Sequence, residues 1–345
     1  MEREKLLKAL EAVKLGLSNK GFIEQMGCFI FIGDRVVTYN DEITITHPLQ
    51  TGITGAVRAE QLYKLLGKLP DSRIRLKATE TELLVSDGKI KAGIPLQTEI
   101  ELPLLDYNKI KGWVRIPDGF LEAVRFCLFS CARDITTPQL SCIYVNKKGG
   151  TVESTDNFRL TRVNVKGLSV FPTSFLLPVH AAEGVFTNGG EVEEVAVEEN
   201  WVHFRLGNQC MFSARTYTEV QYPNLSEVIH QFEQKKEKVK ITLPKALPDI
   251  LQRAVIFAGD SGTERVTVSV LSGKMEVRAE GVNGWFKEVD EVDYEGKTVV
   301  FRINPHYLAD ICEKTNYLEV TDGMAGFRSE EWIHIVALMS EKGET

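Results

Sequence analysis

Apolar residues recur at helical spacing in three stretches that open segments of similar length: Leu6, Leu10, Val13 and Leu17; Phe120, Val124 and Leu128; and Leu247, Ile250, Leu251, Ala254 and Val255. Each stretch begins soon after a polar or proline-marked start. A second helical stretch follows in every segment: RAEQLYKLLGKLP from Arg58, LPVHAAEGVFTNGG from Leu177 and INPHYLADICEKTN from Ile303. Alternating patterns lie between the two, and two more strand patterns follow each second helix: SRIRLKA and ELLVSDG, EEVAVEE and WVHFRLG, YLEVTD and the closing WIHIVALM. The unit, about 120 residues long, exceeds any solenoid repeat, so each unit is itself a domain. Strand-rich units with two helices predict an α+β architecture, the helices segregated on one face of antiparallel sheets.

The pattern resets near Lys109 to Gly112 and near Gln231 to Lys240, where QFEQKKEKVK reads as a polar, charge-dense connector. The expected domains are 1–112, 113–232 and 233–345, with formal charges of +1, −3 and −5. Over all 345 residues the charge is −7, which argues against a protein that holds nucleic acid by overall basicity but leaves room for a local basic surface. With 43% apolar and 26% charged residues the composition is that of a globular protein. No apolar run is long enough to span a membrane, and the N-terminus lacks a signal core, so a cytoplasmic protein with no membrane partner is expected. Six scattered cysteines read as reduced.

Catalytic patterns are missing. GxxxxGK[ST] does not occur, and the six histidines are dispersed without HExxH or zinc-ligand spacing. Cys127 and Cys131, four apart, read as small core residues. GDSGT around Ser261 lacks the spacing of a nucleophile elbow and reads as a turn. The carboxylates Glu288, Asp290, Glu291, Asp293 and Glu295 read as a half-solvated strand. No catalytic residue, metal site or cofactor is expected.

Two segments stand out. In ESTDNFRLTRVNV, from Glu153, the turn Thr155-Asp156-Asn157 runs straight into Phe158, Arg159 and Leu160 at the start of a strand. In MFSARTYTEVQYPNLSEVI, from Met211, a strand ends in a Tyr-Pro-Asn turn before the connector. Inside three repeats, this arrangement resembles the bacterial DNA polymerase III beta subunit, the sliding-clamp family, over essentially the whole chain. The family's Thr-Asp-Gly-His-Arg-Leu turn is matched by Thr155 to Leu160, its Phe-Pro turn by Tyr222-Pro223, and its closing strand by Ile333 to Met339. Phe158 replaces the usual histidine, the closing strand lacks its usual proline, and Glu341 to Thr345 extend beyond it.

The resemblance implies a DNA-clamp fold of three repeated domains, forming a ring as a head-to-tail homodimer whose helices line a hole for double-stranded DNA. Lys8, Lys14, Arg58, Lys64, Lys68, Arg125, Lys245, Arg253 and Lys314 are then the lining charges, and Lys20 matches a family position that touches DNA. The six helical windows carry a net +1, leaving −8 for the rest, the sign expected of an acidic outside. The partners implied are a DNA polymerase, the ATP-driven clamp loader and other proteins that insert a linear motif into a cleft. Carried over position by position, the cleft is Thr155, Phe158, Arg159, Leu160, Pro223, Val228, Val336 and Met339, with Arg159 as a polar rim. Ile256 and Phe257 would meet apolar residues near Ile94 of a second copy.

The function implied is a non-enzymatic processivity factor. A clamp-like scaffold that binds partner peptides without loading on DNA is the alternative, and a hydrolase using Asp156 and Arg159 lacks an accompanying base, nucleophile or metal set.

Overall fold

Residues 1–70, 73–134, 136–187, 191–217, 221–259, 264–282 and 284–340 are described by the computed structural model; Ser261 and Glu341 to Thr345 lie outside them. Among the described residues there are seven α-helices: α1 Arg3–Val13, α2 Ala59–Lys68, α3 Phe120–Cys127, α4 Val179–Thr187, α5 Leu225–Gln234, α6 Leu247–Val255 and α7 Pro305–Cys312. Six coincide with the expected windows. Their buried faces follow the predicted stripe: Leu6, Ala9, Leu10 and Val13 in α1, and Leu247, Ile250, Leu251 and Ala254 in α6.

The exception is α5, which occupies residues read as a turn followed by a connector. Asn224, taken for the end of a turn, is its N-cap and accepts a hydrogen bond from the Ser226 N–H at 3.2 Å. Leu225, Ile229 and Phe232 form the buried stripe, while the charge-dense positions supply the solvated face. The connector shrinks to residues 235–238, before the strand Val239–Thr242.

The chain divides into two compact units, Met1–Phe120 with Gly167–Glu219, and Leu121–Lys166 with Val220–Thr345. Each contains part of the expected central domain. In the first unit an antiparallel sheet runs in the order Arg75–Ala78, Glu82–Ser86, Lys91–Gln97, Ile43–Arg58, Met211–Arg215, Trp201–Leu206, Val192–Val197, Val114–Arg115, with Cys28–Tyr39 also paired to Ile43–Arg58. Helices α1 and α2 pack together and on the two long strands.

In the second unit the strands Cys142–Asn146, Thr151–Thr155, Arg159–Asn164, Trp332–Ala337, Met324–Arg328, Tyr317–Thr321 and Val239–Thr242 are neighbours in that order. A four-stranded sheet follows the order Gly284–Glu291, Lys274–Gly281, Val266–Leu271, Val299–Ile303. Its first strand alternates between half-buried and exposed positions, as expected for Glu288, Asp290 and Glu291, whereas Asp293 and Glu295 lie beyond its end. Helices α6 and α7 pack against each other over a core that includes Leu247, Leu251, Val268, Phe301, Leu308, Phe327 and Val336.

Cys127 and Cys131 are buried, and burial pushes the Cys127 thiol up to about 12 and the Cys131 thiol well above its ordinary value, so both are inert packing groups at neutral pH. Among the described residues, no helix is long and apolar enough to cross a membrane.

Candidate functional site

The singled-out hairpin joins Thr151–Thr155 to Arg159–Asn164. Asn157 takes φ +74°, a left-handed conformation that asparagine tolerates better than branched residues. Asp156 holds the turn: one carboxylate oxygen accepts from the Phe158 and Arg159 N–H groups at 3.0 and 2.9 Å, the other from Arg159 Nε at 3.1 Å. The Thr155 hydroxyl donates to the Arg159 carbonyl at 2.8 Å and accepts from the Asn157 N–H at 3.1 Å.

Arg159, expected as a polar rim, is largely buried. Its side chain is only 10% exposed, and Nη1 donates to Asp310 on α7 at 2.7 Å. The guanidinium lies 4.1 Å from the Tyr307 ring centre and 5.4 Å from that of Phe129, so two carboxylates and two rings enclose it. Tyr307, Asp310 and Phe129 were not singled out in the sequence. Tyr307 and Asp310 share one face of α7 at i,i+3 spacing, but nothing local connects them to Arg159.

Beside this corner, Leu160 (4% exposed) packs with Leu225, Ile229, Phe232 and Ile335. The strand Trp332–Ala337 pairs with the hairpin so that Ile335 stands opposite Leu160 and Val336 opposite Arg159; the Ala337 N–H donates to the Phe158 carbonyl at 2.8 Å. Val336 and Thr155 are buried, Pro223 is half-buried, and Phe158 (63%), Val228 and Met339 (38% each) face solvent. Buried Glu153 accepts from Arg162 Nε at 3.1 Å, and Arg162 Nη2 donates to Ser226 Oγ at 3.0 Å, tying the start of α5 to the hairpin strand. Phe232 lies against Gly326, where any Cβ would overlap its ring, with Lys238 4.4 Å above it. Behind the corner, the Thr161 hydroxyl lies 2.9 Å from buried His334 Nδ1 and 2.6 Å from Ser130 Oγ. Burial, and secondarily the Arg159 charge, lower His334 to about 3, so it is neutral at physiological pH.

The helix-borne cations are mostly partnered. Lys8 meets Glu4 at 2.7 Å and Lys64 meets Glu60 at 2.5 Å, both one turn apart; Arg58 pairs with Glu24; Arg253 pairs bidentately with Glu288 at 2.9 and 2.7 Å. The Lys14 ammonium lies 4.5 Å from the Tyr63 ring centre. Lys20, Lys68, Lys245, Lys314 and Arg125 are exposed, and the four lysines make no ion pair among the described residues.

Ile256, at the end of α6, is 70% exposed, and Phe257 stacks on Phe286 at 6.3 Å. Val282 and Trp285, also strongly exposed, flank the nearby hairpin and were not anticipated. Ile94 is 5% exposed, pointing into the first unit opposite Leu83 in the register of its strand.

The sequence matches no family model and no curated protein. Solved structures are similar over nearly the whole chain. The DNA polymerase sliding clamp from Bacillus subtilis superposes with a TM-score of 0.84 at 15% identity, covering 99% of this chain and 98% of that one. The DNA polymerase III beta subunit from Thermotoga maritima gives 0.80 at 17%, covering 99% of both, and the DNA polymerase III subunit beta from Pseudomonas aeruginosa 0.80 at 17%, covering 98% of both. At such identities the likeness is one of fold, and across its length this chain has the fold of the bacterial DNA polymerase III beta sliding clamps.

Proposed function

We propose that this protein is a DNA sliding clamp: two copies close head to tail into a ring around duplex DNA and tether a polymerase, raising its effective concentration at the primer end. The observation that carries this reading is the fold likeness to sliding clamps over 98 to 99% of the chain. Three clamp domains, 1–112, 113–232 and 233–345, belong to the proposal, as do a cytoplasmic location and action without catalysis or a cofactor.

Two sheet edges support head-to-tail closure. Arg75–Ala78 ends the sheet of the first unit and carries Arg75 and Lys77, with Arg73, Lys89 and Lys91 close in sequence. Gly284–Glu291 ends the four-stranded sheet and carries Asp290 and Glu291, with Lys287 and with Glu288 already paired to Arg253; Ile256, Val282 and Trp285 are exposed apolar residues of the same unit. Basic and acidic edges on one chain are complementary between copies but not within a like-to-like pair, which favours a heterologous contact. Ile256 and Phe257 sit beside the acidic edge, and residues flanking Ile94, rather than its inward side chain, would meet them.

The apolar surface of Phe158, Val228 and Met339, on the floor of Leu160 and Val336 with Thr155, Arg159 and Pro223 around it, would receive a linear motif from the polymerase, the clamp loader and other partners. Lys8, Lys14, Lys20, Arg58, Lys64, Lys68, Arg125, Lys245, Arg253 and Lys314 would face DNA. The test is solution mass by light scattering together with retention on nicked circular and linearised DNA in the presence of a loader. A dimer kept on circles and lost from linear ends is expected; a monomer that is never trapped would overturn the reading. Ile256→Arg with Phe257→Asp should yield the monomer.

One observation favours a second reading, the scaffold that recruits peptides without encircling DNA: Lys8, Arg58, Lys64 and Arg253 already spend their charge on carboxylates. Peptide binding without retention on circles would select it.

A further inference from the structure

Several short stretches of the first unit enclose a cleft of about 510 Å³, within the usual range for small-molecule sites. Arg73 to Leu76 form one wall, the turn Ser86 to Gly88 a second, and Gln50 and Thr51 a third, with Met1 completing the lining. Backbone contacts fix each wall. The Met1 nitrogen donates to the Ile74 carbonyl at 2.8 Å, and Glu2 bridges Arg73 across one antiparallel pair. The strand Arg75–Ala78 pairs with Glu82–Ser86, which pairs in turn with Lys91–Gln97. Gln50 and Thr51 belong to a bulge, because the register jumps from Gly33 opposite Ile53 to Arg35 opposite Pro48. The Thr51 hydroxyl donates to the Gly33 carbonyl at 3.3 Å across it.

Strand register arranges the charge at this cleft. Arg75 stands opposite Ser86 and Ser86 opposite Lys91, so the three residues share one sheet face in a row across three strands, about 5 Å apart at their Cα atoms. A guanidinium and an ammonium thus flank one hydroxyl. Neither Arg75 nor Lys91 makes an ion pair among the described residues, and Arg73 reaches Glu2 only at 3.9 Å, with both side chains exposed. Asp87 is the only acid among the described lining residues, and its carboxylate is already committed. It accepts from the Ile90 and Lys89 N–H groups at 2.7 and 3.0 Å, which hold its carboxyl below the usual range. The Gln50 amide and the Ser86 hydroxyl make no hydrogen bond among the described residues. Cations gathered without a free counter-charge repel one another, and an anion in the cleft removes that cost. Arg73, Arg75 and Lys91 against Asp87 leave a surplus of two positive charges, which favours a multivalent anion. Guanidinium forks match phosphate oxygens. No aromatic ring is among the described lining residues, so nothing there would hold a base.

We propose that this cleft binds a small anion carrying two or more phosphate groups, with Arg73 and Arg75 clasping its oxygens and Ser86, Gln50 and Lys91 donating around them. Inorganic pyrophosphate is the simplest such anion. The site itself stands on the first unit alone. Its consequence rests on the clamp reading: this basic edge is the one that would meet the acidic edge of a second copy, so the bound anion would oppose closure.

The test is titration calorimetry of the full chain with inorganic pyrophosphate, at low salt and with a chelator present to remove metal ions. Saturable binding is expected, with inorganic phosphate about tenfold weaker because it brings fewer charges. Arg75→Gln and Lys91→Gln should each weaken pyrophosphate about tenfold. Arg115→Gln, on the strand at the other end of the nine-stranded sheet, should leave binding unchanged. All three side chains are exposed, so the variants should unfold at the wild-type temperature, which is checked alongside. An equal loss in Arg115→Gln would overturn the proposal, since the attraction would then be diffuse. So would citrate binding more tightly than pyrophosphate, or a duplex oligonucleotide displacing it. The link to closure is read apart. Ile256→Arg with Phe257→Asp, both in the second unit, should bind pyrophosphate as the wild type does. The wild-type mass by light scattering should fall toward that of the monomer as pyrophosphate is added. Binding with an unmoved mass would leave the cleft standing and overturn its part in closure.

Discussion

Arg159 and Asp310, separated by 151 residues in sequence, meet at 2.7 Å and join the hairpin turn to α7. Because Asp156 already pairs with the same guanidinium, Arg159 is neutralised twice over. The two pairs tie the hairpin turn to α7.

Asp310→Ala should therefore act on stability and on selectivity together. Asp310 is 41% exposed, so solvent screening limits the loss to about 1 kcal/mol, measurable by urea unfolding. Arg159 stays paired with Asp156, but one of the two carboxylates around it is gone, so affinity for motif peptides carrying an added acidic residue should rise, measured by titration calorimetry. A variant that binds acidic and neutral peptides in the wild-type ratio would show that the pair does not govern the site.

His334 makes stability depend on pH. Its folded value, about 3, lies below the ordinary 6.5 because the ring is buried. The native state thus resists a proton that the unfolded chain accepts. The sign follows: the contribution is intact above about pH 6.5 and declines as pH falls toward 3, by up to about 1.4 kcal/mol per pH unit. Buried His203, also lowered chiefly by desolvation, acts in the same direction. His334→Phe should flatten the unfolding free energy between these pH values, whatever its effect on stability at pH 7.

Gly326→Ala places a methyl group into the Phe232 ring. Phe232 is the innermost anchor of α5, so the overlap should cost about 1–3 kcal/mol and shift the helix that carries Val228. A lowered unfolding temperature with weakened peptide binding is expected. Phe232→Leu in the same background should recover part of both.

Glu4→Gln with Glu60→Gln releases Lys8 and Lys64 from their helical partners. If these lysines face duplex DNA, affinity rises and the slope of log K against log salt steepens by about 0.9 for each phosphate gained. Filter binding across a salt series reads the slope, and an unchanged slope would remove both lysines from the lining.

Six helices and the paired strand patterns were legible because each is a local matter: an apolar stripe at 3.6 or 2 residues declares itself within a dozen positions. Helix α5 was legible too, through Asn224 and the spacing of Leu225, Ile229 and Phe232, but a tyrosine-proline turn and a run of charges read more strongly as connector. Ile94 illustrates the same lesson on a strand, where Ile94 and Leu96 alternate inward along Lys91–Gln97. The partners of Arg159 carried no such signal, since no periodicity relates position 159 to position 310.

By itself the sequence determined the threefold order of elements, the inward faces of helices and strands, and the turn at Asp156 and Asn157, because backbone geometry converts local spacing directly into a face. Tertiary structure alone decided which charges are spent and which apolar groups stay in water. Strand register placed Val336 opposite Arg159, packing brought Asp310 and Tyr307 to the same guanidinium, and Phe22 was left exposed. These outcomes depend on meetings between residues far apart in the chain, and such meetings are set by the closing of sheets and cores, which no local window contains.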